Sequence, residues 1–282
     1  MSARETTIVA GVAFSPHAQL IASTAFVLAR RLSARVVFIH VGSEDVETRQ
    51  RLNTVLREAE ITGDCELVLR PGNPAEILLD VADELHADLL ITGALESEGM
   101  LQTLFGSVAR KVARRAHCPV LLLPLNVHTV PRLDNVVMGV RSGESVDSML
   151  NFTLKLIRSA GQSKLHIVQE SDYALRLAAR YVDEREREEF ESRQRSSLAD
   201  ALSVYDFSGI HLEVAVLDDT AEGIGLAEYA RNNGADLVVT QAPSRALTLR
   251  DRIITHPAES VLVNLPCGIL LYRSESKSAG KE

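Results

Sequence analysis

The sequence predicts an α/β protein built from two similar doubly wound halves. Three observations carry that prediction. Short apolar runs alternate with helix-period segments along the chain, turn residues bound most of those runs, and the second half repeats the first in order and type. Strands that are continuously apolar suit a parallel sheet covered on both faces. Right-handed crossovers then wind such a sheet in both directions. The repeat is visible in the strands themselves: Val137-Met138-Gly139-Val140 echoes Val9-Ala10-Gly11-Val12, Ala235-Asp236-Leu237-Val238 echoes Ala87-Asp88-Leu89-Leu90, and Cys267-Gly268-Ile269-Leu270 echoes Cys118-Pro119-Val120-Leu121.

Residues 7–12 are the first predicted strand. Ser15-Pro16 reads as an N-cap with proline at the first helical position, and Ile21, Ala25, Leu28 and Leu32 line one face of the helix beyond it. Residues 36–41 are a second strand, and Leu52, Val55, Leu56 and Ala59 mark a second helix. A third strand covers 67–69. Asn73-Pro74-Ala75-Glu76 opens a third helix in which Asn73 caps and Glu76 reaches back, with Ile77, Leu78, Val81 and Leu85 on the buried face. Residues 88–92, closed by Gly93, form a fourth strand. After a loop, Gly106-Ser107 starts a helix with Val108, Val112, Ala113 and Ala116 on its apolar side and Arg110, Lys111, Arg114 and Arg115 elsewhere. Pro119 stops it, and 120–123 is the fifth strand.

In the second half the strand at 137–140 leads to a helix carrying Val146, Met149, Leu150, Thr153 and Ile157 on one face, with Ser142 or Ser145 as its cap. The stretch Ser142-Gly143-Glu144-Ser145-Val146-Asp147-Ser148 is similar to the SGGxDS loop of the ATP pyrophosphatases. It lacks the second glycine and is one residue too long, which favours the cap. Between Val168 and Leu212 this half is longer than its counterpart, and residues 173–205 read as one long charged helix or two in line. A solvated helix laced with i,i+4 pairs is the simple expectation, and a partner-binding arm the alternative. The domains are expected at 1–126 and 134–273, with a linker at 127–133 and a disordered tail at 274–282.

Composition narrows the function. Among 282 residues, 38 acids against 30 bases give a net charge of -8, which disfavours nucleic acid or an anionic membrane as the main partner. Cys65, Cys118 and Cys267 lie far apart with no CxxC, so a reducing cytoplasm is expected. The first residues show no secretory pattern, and no apolar run is long enough for a membrane span. The histidines show no HxxxH or HExxH spacing, and GxSxG and Walker loops are absent, so neither a metal site nor a catalytic residue is expected. His40, at a strand end, is expected to be a satisfied core residue.

The informative point is Gly106-Ser107. Unpaired N–H groups and the positive dipole end at a helix start can hold a phosphate, and a serine there can equally be a plain N-cap. Gly93, then Gly106-Ser107-Val108-Ala109, then Cys118-Pro119-Val120-Leu121 resemble the closing half of a universal stress protein domain. In that family the loop G-x2-G-x9-G-S/T wraps the phosphates and ribose of an adenine nucleotide. The resemblance extends over nearly the whole chain. It implies strand order 3-2-1-4-5 in each half, a ligand crevice between strands 1 and 4, and an intramolecular pseudo-dimer paired through the strands at 120–123 and 269–272, with a homodimer left open. It also implies an ATP or AMP site at Val41, Gly93, Gly106, Ser107 and Val108.

Several positions depart from the family pattern. Glu96 replaces the second loop glycine, and Ala13-Phe14-Ser15 stands where nucleotide-binding members carry an aspartate. The second half has Arg141-Ser142-Gly143 at the aspartate position, Gln241 for the first glycine, and Thr255-His256 for Gly-Ser. The resulting expectation is a non-enzymatic universal-stress-type regulatory module, acting through protein contacts with partners the sequence does not name. Its nucleotide site is degenerate, and no cofactor is assigned to it. An ATP or AMP sensor is the alternative, and a slow ATPase the least favoured.

Overall fold

The computed structural model describes residues 4–62, 65–93, 107–141, 146–170, 184–217, 224–242 and 265–273. Its first elements are β1 (Thr7–Gly11), α1 (Ala18–Leu32), β2 (Arg35–Val41), α2 (Val46–Glu58), β3 (Glu66–Arg70), α3 (Pro74–Glu84), β4 (Leu89–Gly93), α4 (Ser107–Arg115) and β5 (Val120–Leu123). They are followed by β6 (Asn135–Arg141), α5 (Asp147–Arg158), β7 (Ser163–Glu170), α6 (Glu184–Leu202), β8 (Ile210–Leu217), α7 (Ile224–Asn232), β9 (Leu237–Gln241) and β10 (Gly268–Tyr272). The chain divides into two compact units. One takes the residues up to Pro131 together with β10, and the other begins at Arg132 and includes β6 to β9.

In the first unit the parallel strands run in the order β3-β2-β1-β4-β5, as the resemblance implies. Val9 stands opposite Val37 on one side and Leu90 on the other. β10 adds to β5 in antiparallel sense, Leu270 facing Leu121. The second unit has the parallel order β8-β7-β6-β9, with Val137 between His166 and Val238. These strands are continuous apolar runs because helices cover both faces: Ile8, Val9, Ala10, Val37, Phe38, Leu90 and Ile91 are all wholly buried. From α1 the core receives Ile21, Ala25 and Leu28, and from α3 Leu78, Leu79 and Val81.

Local chemistry fixes several boundaries. Asn73 caps α3 as its sequence predicts, its side-chain oxygen accepting from the N–H groups of Ala75 at 3.1 Å and Glu76 at 3.3 Å. Asp45 caps α2 through Thr48 N–H at 2.7 Å. Two expectations fail. Ser15 is not the cap of α1, which begins only at Ala18 after a turn closed by Ala18 N–H to the Ser15 carbonyl at 3.0 Å. Glu76 does not reach back to Asn73, because Lys111 and Arg115 of α4 both engage its Oε1, Arg115 at 2.6 Å. Two cations outcompete one backbone N–H for that carboxylate, and together they hold its pKa below the ordinary glutamate value.

In the second unit α5 starts at Asp147 without a side-chain cap from Val146, and Ser142 and Ser145 lie outside the described residues. The charged segment is helical from Glu184 to Leu202. Arg185 pairs with Glu189 at 3.3 Å one turn on, as the solvated-helix reading expects, while Leu198 and Leu202 are buried. Residues 173–183 lie outside the described residues.

Candidate functional site

The strands β1, β2 and β4 are parallel neighbours, so their C-terminal ends share one edge of the first unit's sheet. Ligands of open α/β sheets sit at that edge, where the strand order reverses. Val41 ends β2, in register with Arg70 of β3, and Gly93 ends β4, in register with Leu123 of β5. Ser107 is the first residue of α4 and is exposed, with Val108 behind it half-buried. Gly106, and with it Glu96 and the rest of the phosphate loop, lies outside the described residues. The structure thus brings Val41 and Gly93 to one edge, and gives Ser107 the N-terminal end of a helix with no acidic residue in its first turn.

α4 is fastened along its length. Glu76 holds it to α3 through Lys111 and Arg115. At the far end the Arg273 guanidinium, just past β10, donates to the carbonyls of Ala113 at 3.0 Å and Arg114 at 3.1 Å. These are among the carbonyls a helix leaves unpaired at its C-terminus, and a cation there also meets the negative end of the dipole. The strand that closes the chain therefore grips the helix whose start is the candidate phosphate site. Nothing in the local sequence around Arg273 announces this contact.

The side of the crevice above β1 and β2 holds an arrangement the sequence reading missed. His40 is buried, and its Nδ1 lies 2.8 Å from the Val12 carbonyl, which can only accept, so Nδ1 carries the proton. The Phe14 ring packs on His40 with centroids 4.7 Å apart, and the Arg51 guanidinium of α2 lies 3.9 Å above the Phe14 centroid. Phe14 is 40% exposed yet engages both an imidazole and a guanidinium. His40 is the satisfied core residue expected of it, and it also anchors this stack. A methyl group at Gly42 would come within 2.7 Å of His40 Nε2, so the close approach of the chain behind the imidazole needs a glycine.

Gly93 has a packing reason of its own. A Cβ there would lie 2.9 Å from the Ile21 Cδ1 of α1, so its place at the end of β4 does not by itself speak for a phosphate. At the position where the resemblance calls for an aspartate, Ala13 and Phe14 bring no carboxylate. Among the described residues no group of three or more His, Cys, Asp or Glu side chains is placed to hold a metal ion. Burial pushes the Cys118 thiol up to about 12, far from a reactive thiolate. No helix among the described residues is long and apolar enough to cross a membrane.

The comparisons with known proteins agree with this geometry. The universal stress protein family matches residues 42–124. A universal stress protein of Methanocaldococcus jannaschii is 35% identical over 27% of this chain and 46% of its own, and the stress response protein NhaX of Bacillus subtilis is 30% identical over 29% and 46%. The chain thus spans about half the length of these curated relatives. The crystal structure of a universal stress protein from Archaeoglobus fulgidus superposes with a TM-score of 0.64 at 12% identity, covering 96% of this chain and 99% of that one, a likeness of fold. Residues 42–124 thus match the universal stress protein family, and the alternating architecture, the strand order of the first unit and the superposition give the chain the fold of those proteins in two units.

Proposed function

We propose that the protein is a non-enzymatic regulatory module of the stress response, working through protein contacts, whose first half keeps a degenerate nucleotide site. The observation that carries this reading is the His40–Phe14–Arg51 stack. In the place where the resemblance puts a ribose-binding carboxylate, the chain supplies an aromatic ring already engaged by an imidazole and a guanidinium. A nucleoside entering there would have to displace Arg51 or turn Phe14 aside, forfeiting about 0.5–1 kcal/mol of cation–π attraction and a similar ring contact. It would gain no carboxylate for its hydroxyls.

The sensor reading has one observation in its favour. The N-terminal end of α4 is free of acidic residues in its first turn, and Ser107 is exposed there, so a phosphate meets no carboxylate on the helix itself. Melting with and without nucleotide separates the two. A ligand present at about one hundred times its Kd adds about 2.7 kcal/mol to the folded state, a rise of several degrees in Tm. We expect millimolar ATP or AMP to leave the Tm within about 1 °C of the free protein, the rise being negligible when the Kd is far weaker than the ligand concentration. A clear rise, abolished by Gly106→Glu in a variant that still folds, would replace this reading with the sensor. Phosphate release from ATP above background, lost in Ser107→Ala, would restore the ATPase.

A further inference from the structure

The second unit buries a histidine that the functional site does not use. His166 sits in the middle of β7 with no solvent exposure. Its Nδ1 lies 3.0 Å from the Tyr229 hydroxyl of α7 and 3.1 Å from Glu213 Oε2 of β8. The carboxylate only accepts, so the proton of the neutral ring belongs on Nδ1, directed at Glu213 and Tyr229. That leaves Nε2 as a bare lone pair, and it is buried with no hydrogen-bond partner. A lone pair without a partner is tolerable there. An N–H⁺ in the same place would be a buried charged donor with nothing to receive it, which is far costlier.

The charged surroundings sharpen this asymmetry. Glu213 is the nearest anion to His166, but it is shared: Lys164 Nζ of β7 lies 2.7 Å from its Oε1, and His211 Nε2 of β8 lies 3.4 Å from the same atom. On the β6 side the neighbour in register is Val137, which offers no charge. With both imidazoles neutral, Lys164 and Glu213 balance. With both protonated, the cluster becomes doubly positive around one carboxylate.

We propose that His166, Glu213 and Tyr229 form a proton-operated latch, which fastens α7 to β7 and β8 while the His166 ring is neutral and lets the helix loosen when the ring takes a second proton. α7 has a separate hold at its start, where Leu226 N–H donates to Glu170 Oε1 at 3.1 Å. Release of the latch therefore loosens the helix without unfolding the unit. The helix leads directly into β9, whose partner β6 forms the second half's counterpart of the first-half crevice. A protein of stress physiology would thereby carry an acid response in the half whose phosphate loop has lost its glycines.

The expected direction follows from burial, which holds the His166 pKa below the ordinary histidine value against the opposing pull of Glu213. A depressed histidine pKa means that the opened state binds the proton more readily. Protection of α7 is therefore full above about pH 6.5 and declines as the pH falls from there through the pKa of the closed state.

Amide hydrogen exchange of residues 224–232 tests the latch, with rates corrected for the intrinsic effect of pH. Protection in the wild-type chain should fall about tenfold between pH 7.5 and 5.0, while α1 stays unchanged. In His166→Gln, which cannot titrate, the fall should vanish. A flat response in the wild type, or an equal fall in His166→Gln, overturns the proposal. Should that variant not fold, ring NMR of the wild type decides: the His166 ring resonances must titrate below the ordinary histidine value, and the Tyr229 ring resonances, reporting the same event, must shift with the same midpoint. Separate midpoints, or a His166 midpoint at that ordinary value, reject the latch.

Discussion

Gly139, in the middle of β6, stands where a methyl group has no room. A Cβ there would overlap Leu226 Cδ2 and lie 3.3 Å from Leu226 Cγ, and Leu226 is almost wholly buried, so the side chain cannot swing clear. Overpacking of this kind typically costs about 1–3 kcal/mol. Gly139→Ala should lower the urea midpoint of the second unit accordingly, with the slope unchanged; a midpoint equal to wild type would show that α7 rides over the extra carbon at no cost. Its counterpart Gly11 faces a similar contact with Leu78 Cδ2 at 2.8 Å. The two glycines that the internal repeat aligns are thus explained by helix-to-strand packing. The same argument covers part of Gly93, and it leaves the loop beyond that residue, rather than the strand end, as the ligand-bearing feature of the family pattern.

At the level of elements, α4 is held from both sides, and Arg273 contributes the hold that comes from farthest along the chain. Two charge-assisted hydrogen bonds at a helix C-terminus are worth about 1–3 kcal/mol. Arg273→Ala should lower the first unit's stability by about that amount and speed exchange in residues 108–116, whereas Arg273→Lys should recover only part, since an ammonium lacks the planar fork. Unchanged exchange in the alanine variant would show the contact to be idle. Elements were legible where the signal was local: Asn73 followed by Pro74 starts α3, and apolar runs bounded by turns are β1 to β5. Ser15-Pro16 gave the same local signal but did not start α1. There the chain closes a turn, and His17 instead bonds the Val127 carbonyl at 3.0 Å, a contact 110 positions away in sequence. Side chains that reach across the fold override a cap motif of a few residues.

For the molecule as a whole, the repeat carried most of the fold into view, because duplicated strands and helices announce the same architecture twice. The candidate site was legible only through the family pattern. Val41, Gly93 and Ser107 do stand at strand and helix ends, but the contacts of Phe14 with His40 and Arg51 depend on three parts of the chain meeting in space. No spacing rule links residues 14, 40 and 51. His166 and Tyr229, 63 positions apart, were hidden for the same reason.

The central claim is that the first-half crevice does not retain an adenine nucleotide. The most direct test is the ultraviolet spectrum of the protein purified from its own cells, followed by chromatography of whatever small molecules denaturation releases. The chain has no tryptophan and only 5 tyrosines, so one adenine per chain would dominate the spectrum. The account predicts a bare protein spectrum and no nucleotide in the released fraction. An adenine nucleotide recovered in stoichiometric amount would contradict it, and would mean that Arg51 and Phe14 give way to a ligand after all.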